Sequence, residues 1–336
     1  MIKVALVGTG FIAKVHAASI RSLPNARLSA VVSSSGEKGA RFAEEFGARL
    51  YPNLDSLFAR GEVDAVDICA PTCLHADMVI AAAVAGKHIL CEKPIALSLG
   101  EADRMIRDVE KSRVKAMIGH TIRFWPEYVR TKELIDSGEL GKPLSASCER
   151  LAAMPDWHKG GWAFDASKSG GASIDLYIND LDYLIWIFGE PRSVHAHGVH
   201  DAKLGGFYHI SSSIEFAAGS SAAAAIGGWG FTGSFPFTAG FRILCEKGAV
   251  EWTMRAGKNI EERSQKPVTV YRQDGTTGEL KVSGEDAYAL ECKYFVDCLE
   301  KGRSIESATL KDARKALVLA LAATESARKK KTVVIR

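Results

Sequence analysis

The sequence predicts an α/β fold in two domains, and three observations lead to it. From Ile2 to Ile118, short apolar runs alternate with amphipathic stretches, the pattern of a parallel sheet covered by helices on both faces. The turn Gly8-Thr9-Gly10-Phe11-Ile12-Ala13 stands between the first apolar run and the first amphipathic stretch. After about residue 122 the alternation stops, and from Ser193 to Tyr271 strand-like runs follow one another without helices, as in an antiparallel sheet. A chain of 336 residues also exceeds one ordinary core. Domains are expected at 1–122 and 123–336.

In order, strands are expected at Ile2 to Val7, Leu28 to Val32, Ala48 to Tyr51, Ala65 to Cys69, His88 to Cys91 and Lys115 to Ile118. The helices between them are Ala13 to Leu23, Glu37 to Phe46, Leu54 to Ala59, Ala76 to Ala85 and Leu99 to Lys111. Pro126 to Ser137 reads as a helix stopped by Gly138, and Leu144 to Leu151 as a strand. Ala152 to Ser169, with Trp157, His158 and Trp162, reads as a long loop, a length that usually carries function. Gly170 to Phe188 reads as one helix. Helices at Asp286 to Lys301 and Leu310 to Lys330 precede a last strand, Thr332 to Ile335.

A net charge of +3, from 43 basic and 40 acidic residues, is too balanced to argue for nucleic acid or a membrane surface. Arg328-Lys329-Lys330-Lys331 suits a helix end, where cations meet the dipole. Seven scattered cysteines show no zinc-type spacing, so no metal site and free thiols in a reducing compartment are expected. The N-terminus reads as a strand and not as a signal peptide, and the expected location is the cytoplasm. His195 and His197 share a strand face, but no carboxylate completes a metal set, so they read as surface histidines.

The glycine turn reads as a dinucleotide-binding loop, making the first domain a Rossmann domain. Gly8 permits the tight turn, Gly10 lets backbone approach a pyrophosphate, and the helix start at Phe11 and Ile12 offers N–H groups. The second strand ends Val31-Val32-Ser33-Ser34-Ser35 without the carboxylate that usually binds ribose hydroxyls in NAD folds. Ser33, Ser34 and Lys38 suit a 2′-phosphate, which favours NADP over NAD, with Glu37 left as a ribose partner. Glu92-Lys93-Pro94 closes the fifth strand, on the edge where open α/β sheets bind ligands. A lysine withdrawn from water there can trade protons near neutrality.

Together these segments resemble the glucose–fructose oxidoreductase/inositol dehydrogenase (Gfo/Idh/MocA) family over nearly the whole chain. The resemblance rests on Gly8-x-Gly10-x-x-Ala13 with His16, and on Ala70-Pro71-Thr72 with His75. It rests most on Gly86-Lys87-His88-Ile89-Leu90-Cys91-Glu92-Lys93-Pro94, then on Arg123-Phe124 with Pro126, Gly138-Glu139-Leu140-Gly141, Gly170-Gly171-Ala172-Ser173-Ile174-Asp175 and Asp312-Ala313. It implies a C-terminal α/β domain with an open, mostly antiparallel sheet that pairs subunits into a homodimer or homotetramer. It implies hydride transfer between a nicotinamide and a carbon of a sugar or polyol, with Lys93 handling the proton. Pro71, His75, Glu92 and Lys93 itself join the cofactor residues by the same resemblance.

The family's second catalytic cluster is an Asp followed four residues later by a His, a spacing that puts both on one helix face, and it implies a catalytic part for Asp175 and Asn179 here. Here Asp175 is followed by Asn179, which can hold a substrate hydroxyl but cannot titrate near neutral pH. A local hydrogen bond within the helix is the plainer use of Asn179. Tyr177, off the helix face that Asp175 and Asn179 share, is a weaker candidate. Arg123 suits a sugar hydroxyl or a domain-junction ion pair, and Trp162 a sugar face; His120 ends the sixth strand. The alternatives within the resemblance are an NAD-dependent glycosidase or lyase using transient oxidation, and a non-catalytic cofactor sensor.

Overall fold

The computed structural model describes residues 1–60, 62–154, 161–217, 221–257 and 263–335. Trp157 and His158 lie outside the described residues. The chain begins with β1 (Ile2–Val7), α1 (Phe11–Ser22), β2 (Ala26–Val32), α2 (Gly36–Phe46), β3 (Arg49–Tyr51) and α3 (Leu54–Phe58). It continues through β4 (Ala65–Ile68), α4 (His75–Val84), β5 (His88–Glu92), α5 (Leu99–Ser112) and β6 (Ala116–Gly119). The six strands pair in parallel in the order β3-β2-β1-β4-β5-β6, so strand order reverses between β1 and β4. Helix starts follow side-chain chemistry: Asn53 caps α3, and Ser98 with Glu101 closes a reciprocal box on α5.

Next come α6 (Pro126–Asp136), β7 (Pro143–Ala153), α7 (Ala166–Ser169), α8 (Ala172–Asp175) and α9 (Ile178–Phe188). Strands β8 (Pro191–Asp201), β9 (Gly206–Phe216), β10 (Ala222–Phe231), β11 (Phe237–Cys245) and β12 (Gly248–Ala256) follow. Short strands β13 (Ser264–Gln265), β14 (Thr269–Arg272) and β15 (Thr277–Glu279) precede α10 (Ala287–Glu300), α11 (Leu310–Lys329) and β16 (Val333–Val334). This sheet runs β15-β14-β12-β11-β7-β10-β9-β8-β16, with β13 beside β12. All its pairings are antiparallel except β10 with β7.

The helix expected over 170–188 is divided. Gly170 and Gly171 both adopt positive φ (78° and 71°), and a Cβ on Gly170 would strike Ile174 at 2.7 Å. Beyond α8 the ladder slips: Tyr177 N–H reaches back to Ala172 O, then Asp180 N–H to Tyr177 O. Asp175 ends one helix and Asn179 belongs to the next, a correction to the single face expected of them.

The chain forms two compact units, 1–125 with 285–314 and 126–284 with 315–336. The division expected from sequence placed everything after 122 in the second domain. Residues 285–314 belong instead to the first unit, because Cys292, Phe295 and Val296 of α10 pack into the core built by Leu6, Ala13, Ala17, Leu28 and Phe42. In the second unit, Tyr128, Tyr183, Phe241 and Trp252 form an aromatic core. Beside it, buried Arg150 donates in bidentate fashion to Asp180 at 2.9 and 3.1 Å.

Candidate active site

The turn after β1 is fixed by sterics. Gly8 has φ +107°, and a Cβ there would lie 2.4 Å from Cys69 O at the end of β4. Gly10, the N-cap of α1, is extended, and a Cβ on it would meet no protein atom within 4 Å. No protein atom crowds position 10, so the turn leaves room for a pyrophosphate to approach the backbone there. Helix α1 has twelve residues, and Phe11 is exposed beside its N-terminus, with Ile12 partly buried. At the end of β2, Ser33 Oγ accepts from Ser35 N–H at 3.2 Å. Ser34 and Lys38 are exposed, and Glu37 pairs with Arg41 at 3.4 Å.

Lys93 is half-buried at the C-terminal end of β5, on the same edge of the parallel sheet as Gly8. The Lys93–Pro94 peptide is cis. Two side chains hold this turn. Glu92 Oε2 accepts from Lys93 N–H at 3.0 Å. His75 has its ring nitrogens 2.8 Å from Pro94 O and 2.9 Å from Ala70 O, tying the loop after β5 to the loop that contains Pro71. Both ring nitrogens of His75 face carbonyl oxygens of the protein, and a neutral ring donates to one of them, so any part it takes in cofactor binding is the placement of these loops.

Glu92 is also held from inside. His16, buried on α1, places Nδ1 2.9 Å from Asp67 Oδ2 and Nε2 3.1 Å from Glu92 Oε1. Burial, the largest single effect, opposes a charge on His16, but its neighbours together, Asp67 first among them, outweigh it and hold the imidazole well above its usual range. Sequence pattern alone does not single out Asp67 or Glu291. A signal existed: Asp67 stands inside the apolar strand Ala65-Val66-Asp67-Ile68, where a carboxylate needs a partner.

In the second unit, Asp175 and Asn179 are half-buried. Asn179 Nδ2 donates to Leu176 O at 3.0 Å, the local bond weighed for it, which leaves its carbonyl oxygen as an acceptor. Tyr177 is a core residue, its hydroxyl bonded to Ser212 and its ionisation pushed up by burial. Trp162 begins a short 3₁₀ turn, partly buried. Arg123, in the first unit, is buried with its guanidinium 3.3 Å from Asp312, and His120 is fully buried. His195 and His197 bring Nε2 atoms within 3.2 Å of each other on β8, and His195 Nδ1 is 3.2 Å from Thr332 Oγ1.

The strand reversal at β1/β4 and the glycine turn that opens α1 define the first unit as a dinucleotide-binding Rossmann domain. Residues 2–120 match the oxidoreductase family with an NAD-binding Rossmann fold, and residues 128–251 match the GFO/IDH/MocA C-terminal domain. The chain belongs to the GFO/IDH/MocA family and is an oxidoreductase. It is 29% identical to the inositol 2-dehydrogenase of Rhizobium meliloti (strain 1021), over 99% of each chain. It is 34% identical to the 2,7-anhydro-N-acetylneuraminate hydratase of Mediterraneibacter gnavus over 55% of this chain and 49% of that one. The solved structure of a putative myo-inositol dehydrogenase from Sinorhizobium meliloti 1021 superposes with a TM-score of 0.82 at 28% identity, covering 100% of both chains.

Proposed function

We propose that this oxidoreductase is a dehydrogenase or reductase acting on a CH–OH group of a sugar, polyol or related hydroxyl compound, with Lys93 as proton donor and acceptor. The observation that carries it is a half-buried lysine at the end of β5, on the edge of the sheet that carries Gly8 and the start of α1. The nicotinamide, when bound, exchanges a hydride with the reacting carbon. Lys93 takes the hydroxyl proton on oxidation and returns it on reduction. Glu92 and His75 hold the turn that aims it. Asp175 and Asn179 hold substrate hydroxyls, Asp175 as acceptor and Asn179 through its amide. Arg123, shared with Asp312, and the ring of Trp162 are further proposed substrate contacts. The full-length similarity to an inositol 2-dehydrogenase supports a polyol.

The end of β2 favours NADP over NAD. Ser33, Ser34 and Lys38 suit a 2′-phosphate, while the Glu37 carboxylate is turned to Arg41. Comparable Michaelis constants and turnover with both cofactors would count against this preference. A homodimer or homotetramer through the large sheet is supported by its exposed face, where Ile226, Leu244 and Tyr271 stand 39%, 52% and 42% exposed. Light scattering should show Leu244→Glu as a smaller species. Among the described residues no helix is long and apolar enough to cross a membrane. The seven free cysteines support a reducing cytoplasm.

The test is a panel of sugars and polyols with each cofactor, followed by absorbance of the reduced nicotinamide. The similarity to a hydratase supports a second reading, transient oxidation that acidifies a neighbouring C–H and then regains the hydride. Product formed without net change in cofactor absorbance would mark that second reading. No turnover of any panel member in either assay would overturn both.

A further inference from the structure

His16 stands with both ring nitrogens on carboxylate oxygens, Asp67 Oδ2 at 2.9 Å and Glu92 Oε1 at 3.1 Å. A neutral imidazole has one N–H and one lone pair, so it can satisfy only one such contact. Two ionised carboxylates therefore require an imidazolium; a neutral ring requires a proton on Asp67 or Glu92. The remaining contacts of both carboxylates come from donors: Lys93 N–H reaches Glu92 Oε2 at 3.0 Å, and Cys69 Sγ reaches Asp67 Oδ1 at 3.6 Å. These donors favour the ionised carboxylates, and hence the doubly protonated ring.

The groups facing His16 agree. From β4 and its end come Asp67 and Cys69, and from β5 comes Glu92. From α10 come Glu291, Cys292 and the ring of Tyr288, 5.9 Å from the imidazole. Burial, and then the neighbouring Glu92 charge, push Glu291 well above the carboxylate range, so it is a neutral acid, its Oε2 accepting from Thr121 Oγ1 at 3.1 Å. Burial keeps Cys69, Cys91 and Cys292 as thiols. The imidazolium is then the counter-ion of two carboxylates. Gly119 leaves the space this needs, since a Cβ there would come within 3.3 Å of Glu92 Cα, Cδ and Oε1.

We propose that His16 is a positioning residue, a buried imidazolium clamped between Asp67 and Glu92 that fixes Glu92 and, through Lys93 N–H, the turn bearing Lys93. It rests on the reading of Lys93 as the proton-transfer group. It also links two functions mechanically. The helix whose N-terminus faces the cofactor is tied, five residues beyond its start, to the strand end that carries the proton-transfer lysine.

The test has two arms on the full chain. In the first, ¹⁵N spectra of histidine-labelled protein, with His16 assigned by loss of signal in His16→Gln, should show both ring nitrogens protonated at about pH 8, well above the ordinary histidine pKa. Asp67→Asn should bring that ring down toward ordinary titration. In the second arm, His16→Gln should lower kcat roughly tenfold to a hundredfold, as misplacement of a catalytic group does, and shift the pH–rate profile, with cofactor KM little changed. Glu291→Gln, replacing one neutral group by another, should leave kcat within about threefold. A neutral His16 ring overturns the clamp. A charged ring with full activity in His16→Gln overturns the positioning role. A charged ring with full activity in Lys93→Ala overturns the Lys93 reading, and the positioning role falls with it while the clamp stands. If His16→Gln does not fold, Asp67→Asn supplies both readouts.

Discussion

A Cβ on Gly8 would lie 2.4 Å from the carbonyl oxygen of Cys69, so the ends of β1 and β4 approach as closely as backbone allows. Gly8 is therefore a glycine for the fold, and Gly10, with open space around its missing Cβ, is the one proposed to serve the ligand. Gly8→Ala should destabilise the protein by at least about 2 kcal/mol, from strain at φ +107° and the clash. Gly10→Ala should leave the melting temperature nearly unchanged while weakening dinucleotide binding roughly tenfold or more, by pushing phosphate off its N–H donors. Calorimetry and fluorescence titration of both variants check this. A Gly10→Ala protein that binds like wild type would remove the pyrophosphate from this turn.

Lys93→Ala should lower kcat by roughly 10²- to 10⁴-fold, the usual contribution of a positioned acid–base group. Dinucleotide affinity should stay close to wild type, because the proposed phosphate cradle is on β1 and α1. Steady-state rates on a substrate found by the panel, with a binding titration beside them, separate the two. A variant keeping most of its turnover would end the proposed role.

Much of this was legible in the chain, and the parts that were not share a cause. Apolar runs alternating with amphipathic ones define the parallel sheet because burial on both faces leaves few other patterns. The turn at Gly8 and the lysine at Lys93 follow from the strands they end. What sequence hides is partnership across long separations. The amphipathic pattern of α10 shows that one face is buried, but not that Cys292, Phe295 and Val296 return to the first core. Asp67 announces a partner without naming His16. The slip after α8, which puts Tyr177 in the core and divides Asp175 from Asn179, comes from Gly170-Gly171 and the packing around them; helix propensity does not show it.

Arg150 and Asp180 are both almost fully buried and bonded in bidentate fashion. Removing one partner leaves the other charge uncompensated, so Asp180→Asn should cost about 3–5 kcal/mol of stability. Replacing both by apolar residues of similar size should cost much less. Urea denaturation of the single and double variants decides it. Equal losses in both would show that packing, and not the stranded charge, sets the cost.

Two histidines give stability opposite dependences on pH. Burial holds His75 below the usual imidazole range, by more than the Ala70 and Pro94 carbonyls raise it. Its contribution is present above the unfolded pKa of 6.5 and is lost as pH falls. His16 lies above that value, so its contribution is full below 6.5 and is lost only as pH rises through the folded pKa. His75→Asn should be less stable than wild type at about pH 7.5, with the gap closing toward about pH 5. Melting curves across that range test it; parallel profiles would place the acid sensitivity elsewhere.

Asn179 stands where the resemblance leads to the expectation of a histidine, and its amide donates to Leu176 O at 3.0 Å. An amide has no proton to give or take near neutral pH, so position 179 contributes no ionisation to the wild-type profile. A histidine there introduces a group that titrates between about pH 5 and 8. If Asn179 holds a substrate hydroxyl, Asn179→His should add an ionisation to the pH dependence of kcat in that range. The KM for substrate should move as well, because imidazole and amide present different donors. If the side chain serves only its local bond to Leu176, the substitution should lower stability slightly and leave the profile in place. Superimposable pH–rate curves for the two proteins would remove Asn179 from the proton path and leave Lys93 as its one proposed titrating member.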